Sequence, residues 1–134
     1  MGPEGEVFMA TDSVAVLKYG VELGMRTWRD FLGKMEWEVG DVDRIICHQV
    51  GSGHKAGILK MIEVPAEKDY STFSYLGNMG TVSLPMTAAL AEQRGFLKGG
   101  SGQRVGFLGI GSGLNCMMLT ASAPITARRT MARR

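Results

Sequence analysis

Cysteine is nearly absent. Cys47 and Cys116 are the only two in 134 residues, far apart and each inside an apolar run. That pattern reads as buried, reduced thiols and predicts a cytoplasmic protein. Long hydrophobic stretches are missing too. No run approaches the roughly 18 residues of a membrane span, and the start, MGPEGEVFMATD, lacks the basic and apolar segments of a secretory leader. Charge of one sign is also lacking, with 15 basic against 13 acidic residues. Four of the basic residues, Arg128, Arg129, Arg133 and Arg134, sit at the tail, so the body is slightly acidic. Aromatics are only 7% of the chain and are not interleaved with basic residues. Nucleic acid is therefore not an expected partner. There are only two histidines, His48 and His54, with no acidic pair nearby, so no metal site is expected.

What is present is an ordinary globular composition, 45% apolar and 21% charged, at a length that fits one domain. Glycine is abundant, at 19 residues, clustered at 51–57, 77–80, 95–102 and 106–113 without the period of three that collagen needs. Clusters beside apolar runs suggest tight loops, or backbone held close to a ligand.

Residues 12–34 carry Val14, Leu17, Val21, Met25, Trp28, Phe31 and Leu32 at helical spacing, which predicts an amphipathic helix capped by Thr11 or Asp12. Gly20 and Gly24 either weaken it or admit a close neighbour. Arg44-Ile45-Ile46-Cys47 reads as a short strand covered on both faces. A helix is expected over 52–62, ended by Val64-Pro65, and a strand over 70–75, rich in aromatic and hydroxyl residues. Ser83 is expected to cap a further helix that carries Pro85 in its first turn and stops at Gly95. Strands over 105–110 and 115–120 flank Gly111-Ser112-Gly113 as a hairpin. The alternation predicts an α/β layered fold, a mixed sheet with helices ending in an antiparallel pair. The tail over 123–134 is expected to be disordered.

Three sites for chemistry follow from this order. His48 leaves the first strand. Asn78 sits between glycines after the expected second strand, and Gly111-Ser112-Gly113 follows a third. Ligands of open α/β sheets bind outside the carboxyl ends of strands. An imidazole, a carboxamide and a bare backbone there can donate hydrogen bonds to an oxygen becoming negative. Each also has a plain reading: loop histidine, turn-forming asparagine, hairpin glycines. Cys116, mid-strand, lacks the helix start that activates a nucleophile.

The stretches VDRIICHQVGSGHKAGILK, STFSYLGNMGTVSLPMTAALAEQRGFLKGG and RVGFLGIGSGLNCMML strongly resemble the C-terminal half of the thiolase-fold condensing enzymes. The resemblance is to the 3-oxoacyl-acyl-carrier-protein synthase III group, in particular its branch that joins two fatty acyl-CoA thioesters head to head for olefin synthesis. It covers about residues 4–120. A His-Gln pair follows a strand, and Gly-Asn with a later Ser-x-Pro opens a helix, 30 positions from His48 to Asn78.

The resemblance implies the C-terminal half of a thiolase-like fold over 4–122, incomplete on its N-terminal side, and Claisen condensation of acyl thioesters. His48 and Asn78 match two members of a Cys-His-Asn triad. Ser112 matches the position whose backbone N–H completes an oxyanion hole. Lys55 is a candidate for the carrier arm's phosphate. Neither Cys47 nor Cys116 matches the nucleophile, which implies a partner half bearing that cysteine. Coenzyme A or phosphopantetheine thioesters are the implied substrates, with acyl carrier protein as a possible partner, no tightly bound cofactor and a possible homodimer. Two other readings stay open: a non-catalytic interaction module derived from such an enzyme, and a small thiolesterase using Cys116.

Overall fold

The structure, a computed structural model, describes residues 12–111 and 114–120. Helix α1, Ser13–Met35, starts where Asp12 Oδ1 accepts from the Ala15 N–H at 3.0 Å. It ends where Glu36 takes a left-handed conformation and Trp37 N–H bonds back to the Leu32 carbonyl. The expected apolar stripe is only partly buried. Trp28 and Phe31 enter the core and stack on each other at 5.8 Å, whereas Leu17 is exposed and Val14 is 77% exposed. Only the second half of α1 therefore finds a full apolar bed. Gly20 marks a close approach: a Cβ there would lie 3.3 Å from Ile110 Cδ1, while one at Gly24 would meet nothing within 4 Å.

Strand β1, Arg44–Cys47, forms where its apolar run predicts. Its side chains alternate between two cores. Ile45 and Cys47 face Trp28, Phe31, Ile58, Leu59 and Leu108. Ile46 faces Ala91, Leu97 and Val105. A strand buried on both faces has no polar side to show, which is why its sequence is continuously apolar. The first core packs α1 and helix α2, Ser52–Met61, on one face; the second packs helix α4, Ser83–Gln93, on the other.

Strand β2, Val105–Gly111, pairs parallel with β1, Arg44 opposite Val105 and Cys47 opposite Leu108. Strand β3, Asn115–Thr120, pairs antiparallel with β2 and gives the sheet order β1-β2-β3. The mixed α/β fold with its terminal antiparallel pair is as expected from the sequence.

Two local expectations fail. The strand over 70–75 does not form. The chain makes a single parallel bridge from Asp69 to Ile45 and then turns into a one-turn helix α3, Phe73–Leu76. The Thr72 carbonyl accepts from the Leu76 and Tyr75 N–H groups at 2.8 and 3.2 Å, and its side chain is held by buried hydrogen bonds. Those tertiary bonds override the β-propensity of an aromatic-hydroxyl run. Ser83 is also no N-cap. It is the first residue of α4, and its Oγ accepts from the Met79 N–H at 2.8 Å, a loop amide outside the helix. Ser112 and the basic tail over 123–134 lie outside the described residues.

Candidate active site

His48 leaves the carboxyl end of β1, its backbone N–H still bonded to the Leu108 carbonyl at 2.8 Å. The ring is half-buried. Burial holds its pKa below the ordinary 6.5, and the nearby His54 acts in the same direction. His54, in the first turn of α2, is lowered by burial as well. At neutral pH His48 is therefore a neutral imidazole, with one N–H donor and one acceptor nitrogen.

Gln49, the next residue, is 1% exposed. Its Nε2 donates to the hydroxyls of Thr72 at 2.8 Å and Thr87 at 2.7 Å. Its Oε1 accepts from the Ser71 hydroxyl and the Thr72 N–H, each at 2.9 Å. The two threonine hydroxyls lie 2.9 Å apart in a further hydrogen bond. Every donor and acceptor position of the carboxamide is thus used in a buried setting, where an unmade bond is costly.

Asn78 does not follow a strand, as expected, but a loop after α3. Gly77 and Gly80 flank it with φ of 64° and 60°. Gly77, with ψ of −151°, occupies a region essentially reserved for glycine. Asn78 is exposed, and its Oδ1 accepts from the Gly80 N–H at 2.9 Å. That bond makes the turn asparagine of the plain reading and leaves the Nδ2 donors as the chemically available end. The segments carrying His48 and Asn78 belong to one bonded corner, because Gln49 holds Thr72 and Thr87 while Ser83, one turn before Thr87, holds Met79.

Lys55 is placed differently from its expected role. Its ammonium is paired with the Asp69 carboxylate, the side chains being only 12% and 3% exposed. Burial raises the Asp69 carboxyl above its usual range, against the pull of Lys55. Contact with a carrier phosphate would require Lys55 to leave this partner. Cys47 is buried, and desolvation with the nearby Asp69 charge pushes its thiol up. Burial pushes Cys116 up as well. Neither has the lowered pKa of a nucleophile, which counts against a thiolesterase built on Cys116. Among the described residues no three His, Cys, Asp or Glu side chains gather as metal ligands, and no helix is long and apolar enough to cross a membrane.

The Gln49 network is the part of the site that sequence reasoning missed. The Gln beside His48 was visible, but its partners, 23 and 38 residues away, carried no local signal.

Comparisons with known proteins bear on the family and the fold. A family model described as 3-oxoacyl-[acyl-carrier-protein (ACP)] synthase III C terminal matches residues 32–125. An acyl-CoA:acyl-CoA alkyltransferase of Shewanella oneidensis is 55% identical over 112 residues, covering 84% of this chain and 32% of that protein. The protein of the same name from Xanthomonas campestris is 34% identical, over 82% of this chain and 32% of its own length. The chain thus spans about a third of the length of these curated relatives. A crystal structure of 3-oxoacyl-(acyl carrier protein) synthase III, FabH, from Xanthomonas oryzae superposes with a TM-score of 0.78 at 34% identity, covering 84% of this chain and 32% of that one. A variant of Xanthomonas campestris OleA, solved with lauric acid and lauroyl-CoA bound, superposes with a TM-score of 0.76 at 34% identity, over 82% and 32% of the two chains. The layered sheet is thus that of the thiolase-like condensing enzymes. The chain belongs to the 3-oxoacyl-[acyl-carrier-protein] synthase III family and carries that family's C-terminal domain.

Proposed function

We propose that this chain supplies the hydrogen-bond donors of an acyl-thioester condensing site. In this reading the neutral imidazole of His48 and the Nδ2 group of Asn78 donate to the thioester carbonyl oxygen of the second substrate. They stabilise the enolate formed when that substrate loses its α-proton or a carboxyl group as carbon dioxide. The enolate carbon then attacks an acyl group held on a cysteine outside the residues matched here. A carbon–carbon bond forms and the cysteine thiolate leaves. Where the second substrate loses a proton, a carboxylate base has to come from elsewhere, since His48 is occupied as a donor. The backbone N–H at Ser112 would complete the oxyanion hole for the acylated cysteine. The acyl-CoA-bound OleA relative supports coenzyme A thioesters as substrates, and the FabH relatives support acyl carrier protein as an alternative carrier.

One observation carries the reading: a half-buried imidazole, kept neutral by burial, at a strand end that Gln49 bonds to the elements bracketing Asn78. Fixed donors need no reorganisation as charge develops, and each can be worth ~3 kcal/mol. A second reading, an interaction module without turnover, is favoured by exposed apolar side chains such as Val82 and Met86 close to Asn78 in the chain. The two separate in one experiment. The chain is combined with a cysteine-bearing N-terminal portion of a relative, and the 3-oxoacyl product is measured. His48→Ala and Asn78→Ala are each expected to lower turnover by about a hundredfold or more. Unchanged turnover in both would discard the assignment. Complex formation with no turnover from the unmodified chain would favour the interaction module.

A further inference from the structure

We propose that Gln49 is the positioning residue of this site: it sets the His48 strand end and the Asn78 loop in one register, acting through Thr72 and Thr87. Gln49 is too buried to meet a substrate. Its place at the end of β1 could be filled by an apolar side chain, yet it carries a carboxamide with all its hydrogen bonds made. Hydrophobic packing is non-directional, whereas hydrogen bonds are directional and fix an orientation. Two routes lead from that carboxamide to Asn78. On one side, the Thr72 N–H is held by Gln49 Oε1, and the Thr72 carbonyl launches α3, which ends at Gly77. On the other, the Thr87 hydroxyl is held by Gln49 Nε2, and Ser83, one helical turn earlier, accepts from the Met79 N–H. The residues immediately before and after Asn78 are therefore both referred to the side chain adjacent to His48. Gln49 thereby sets the relation of two donors that must serve one oxygen. Precise support of this kind decides whether a site is present or merely near its working geometry.

Amide hydrogen exchange of the full chain tests this without any assumption about activity. Thr87→Val keeps the shape and deletes one partner hydroxyl; Thr87→Ser keeps the hydroxyl. Thr87→Val should speed exchange at the Leu76, Gly77 and Met79 amides at least tenfold. The Trp37 and Val64 amides should stay within twofold, and Thr87→Ser should restore the original rates. Equal acceleration at all five amides would mean an ordinary loss of core stability and overturn the proposal, as would no change at the first three. The unmodified chain gives a second measurement should Thr87→Val not fold. At low urea, the Gln49 side-chain amide protons should exchange through the same opening as the Leu76 and Met79 amides. Independent openings would overturn the proposal. A kinetic arm rests on the function proposed above: in the condensing complex, Thr87→Val should lower kcat about tenfold with KM within twofold, and Thr87→Ser should recover it. An effect on KM alone would count against positioning. Wild-type turnover in His48→Ala would sink the catalytic reading, leaving the exchange data to judge the clamp by themselves.

Discussion

Lys55 and Asp69 form an ion pair in which both side chains are largely removed from water. Such a pair adds little over well-packed apolar residues, but breaking one side of it strands a buried charge. Lys55→Met should therefore destabilise the chain by about 3–5 kcal/mol, read as a lowered midpoint of urea unfolding. A carrier-arm lysine would behave differently: the midpoint would stay and only the affinity for a thioester would fall. At this scale the place of His48 at a strand end was legible from the apolar run before it. The downward shift of its pKa was not, because burial and the approach of His54 exist only in the folded chain. The pairing of Lys55 was hidden for a related reason, since nothing near it in sequence announces Asp69.

The two glycines of α1 separate what a helix wants from what its neighbours allow. Gly24 has open space where a Cβ would go, so Gly24→Ala should gain up to about 1 kcal/mol through helix propensity. Gly20 faces Ile110 and Leu114 at close range, so Gly20→Leu should cost about 1–3 kcal/mol through overpacking. Opposite shifts in the urea midpoint would check both, and shifts of the same sign would remove the packing argument. The spacing of apolar residues foretold α1, α2, β1, β2 and β3 to within a residue or two, since each is defined by local periodicity. The element it misread, over 70–75, has aromatic and hydroxyl residues typical of a strand. The Ser71 and Thr72 hydroxyls are instead bonded to Gln49, and Thr72 also to Thr87, and the backbone turns.

Several large apolar side chains of the whole molecule stand in water: Val14 and Tyr19 on α1, Val82 and Met86 by α4, and Met117 and Leu119 on the edge strand β3. Among the described residues β3 has β2 on one side only, and it carries exposed methionine and leucine. The free chain should therefore self-associate with rising concentration in sedimentation velocity runs. The double substitution Met117→Lys with Leu119→Lys should shift it toward monomer and leave its melting temperature within a few degrees, because both side chains are already solvated. Monomer at every concentration in the unsubstituted chain would show that this edge is protected in some other way.

The sequence by itself determined the layered α/β class and the place of α1, α2, α4 and the three strands. Those depend on apolar period, glycine punctuation and motif order, all of which act between near neighbours. Tertiary structure alone decided that residues 70–75 leave the sheet, that Lys55 is committed to Asp69, and that Gln49 gathers Thr72 and Thr87. Each is a contact between groups distant in sequence. Its energy comes from desolvation and directional bonding, which exist only once the layers have closed.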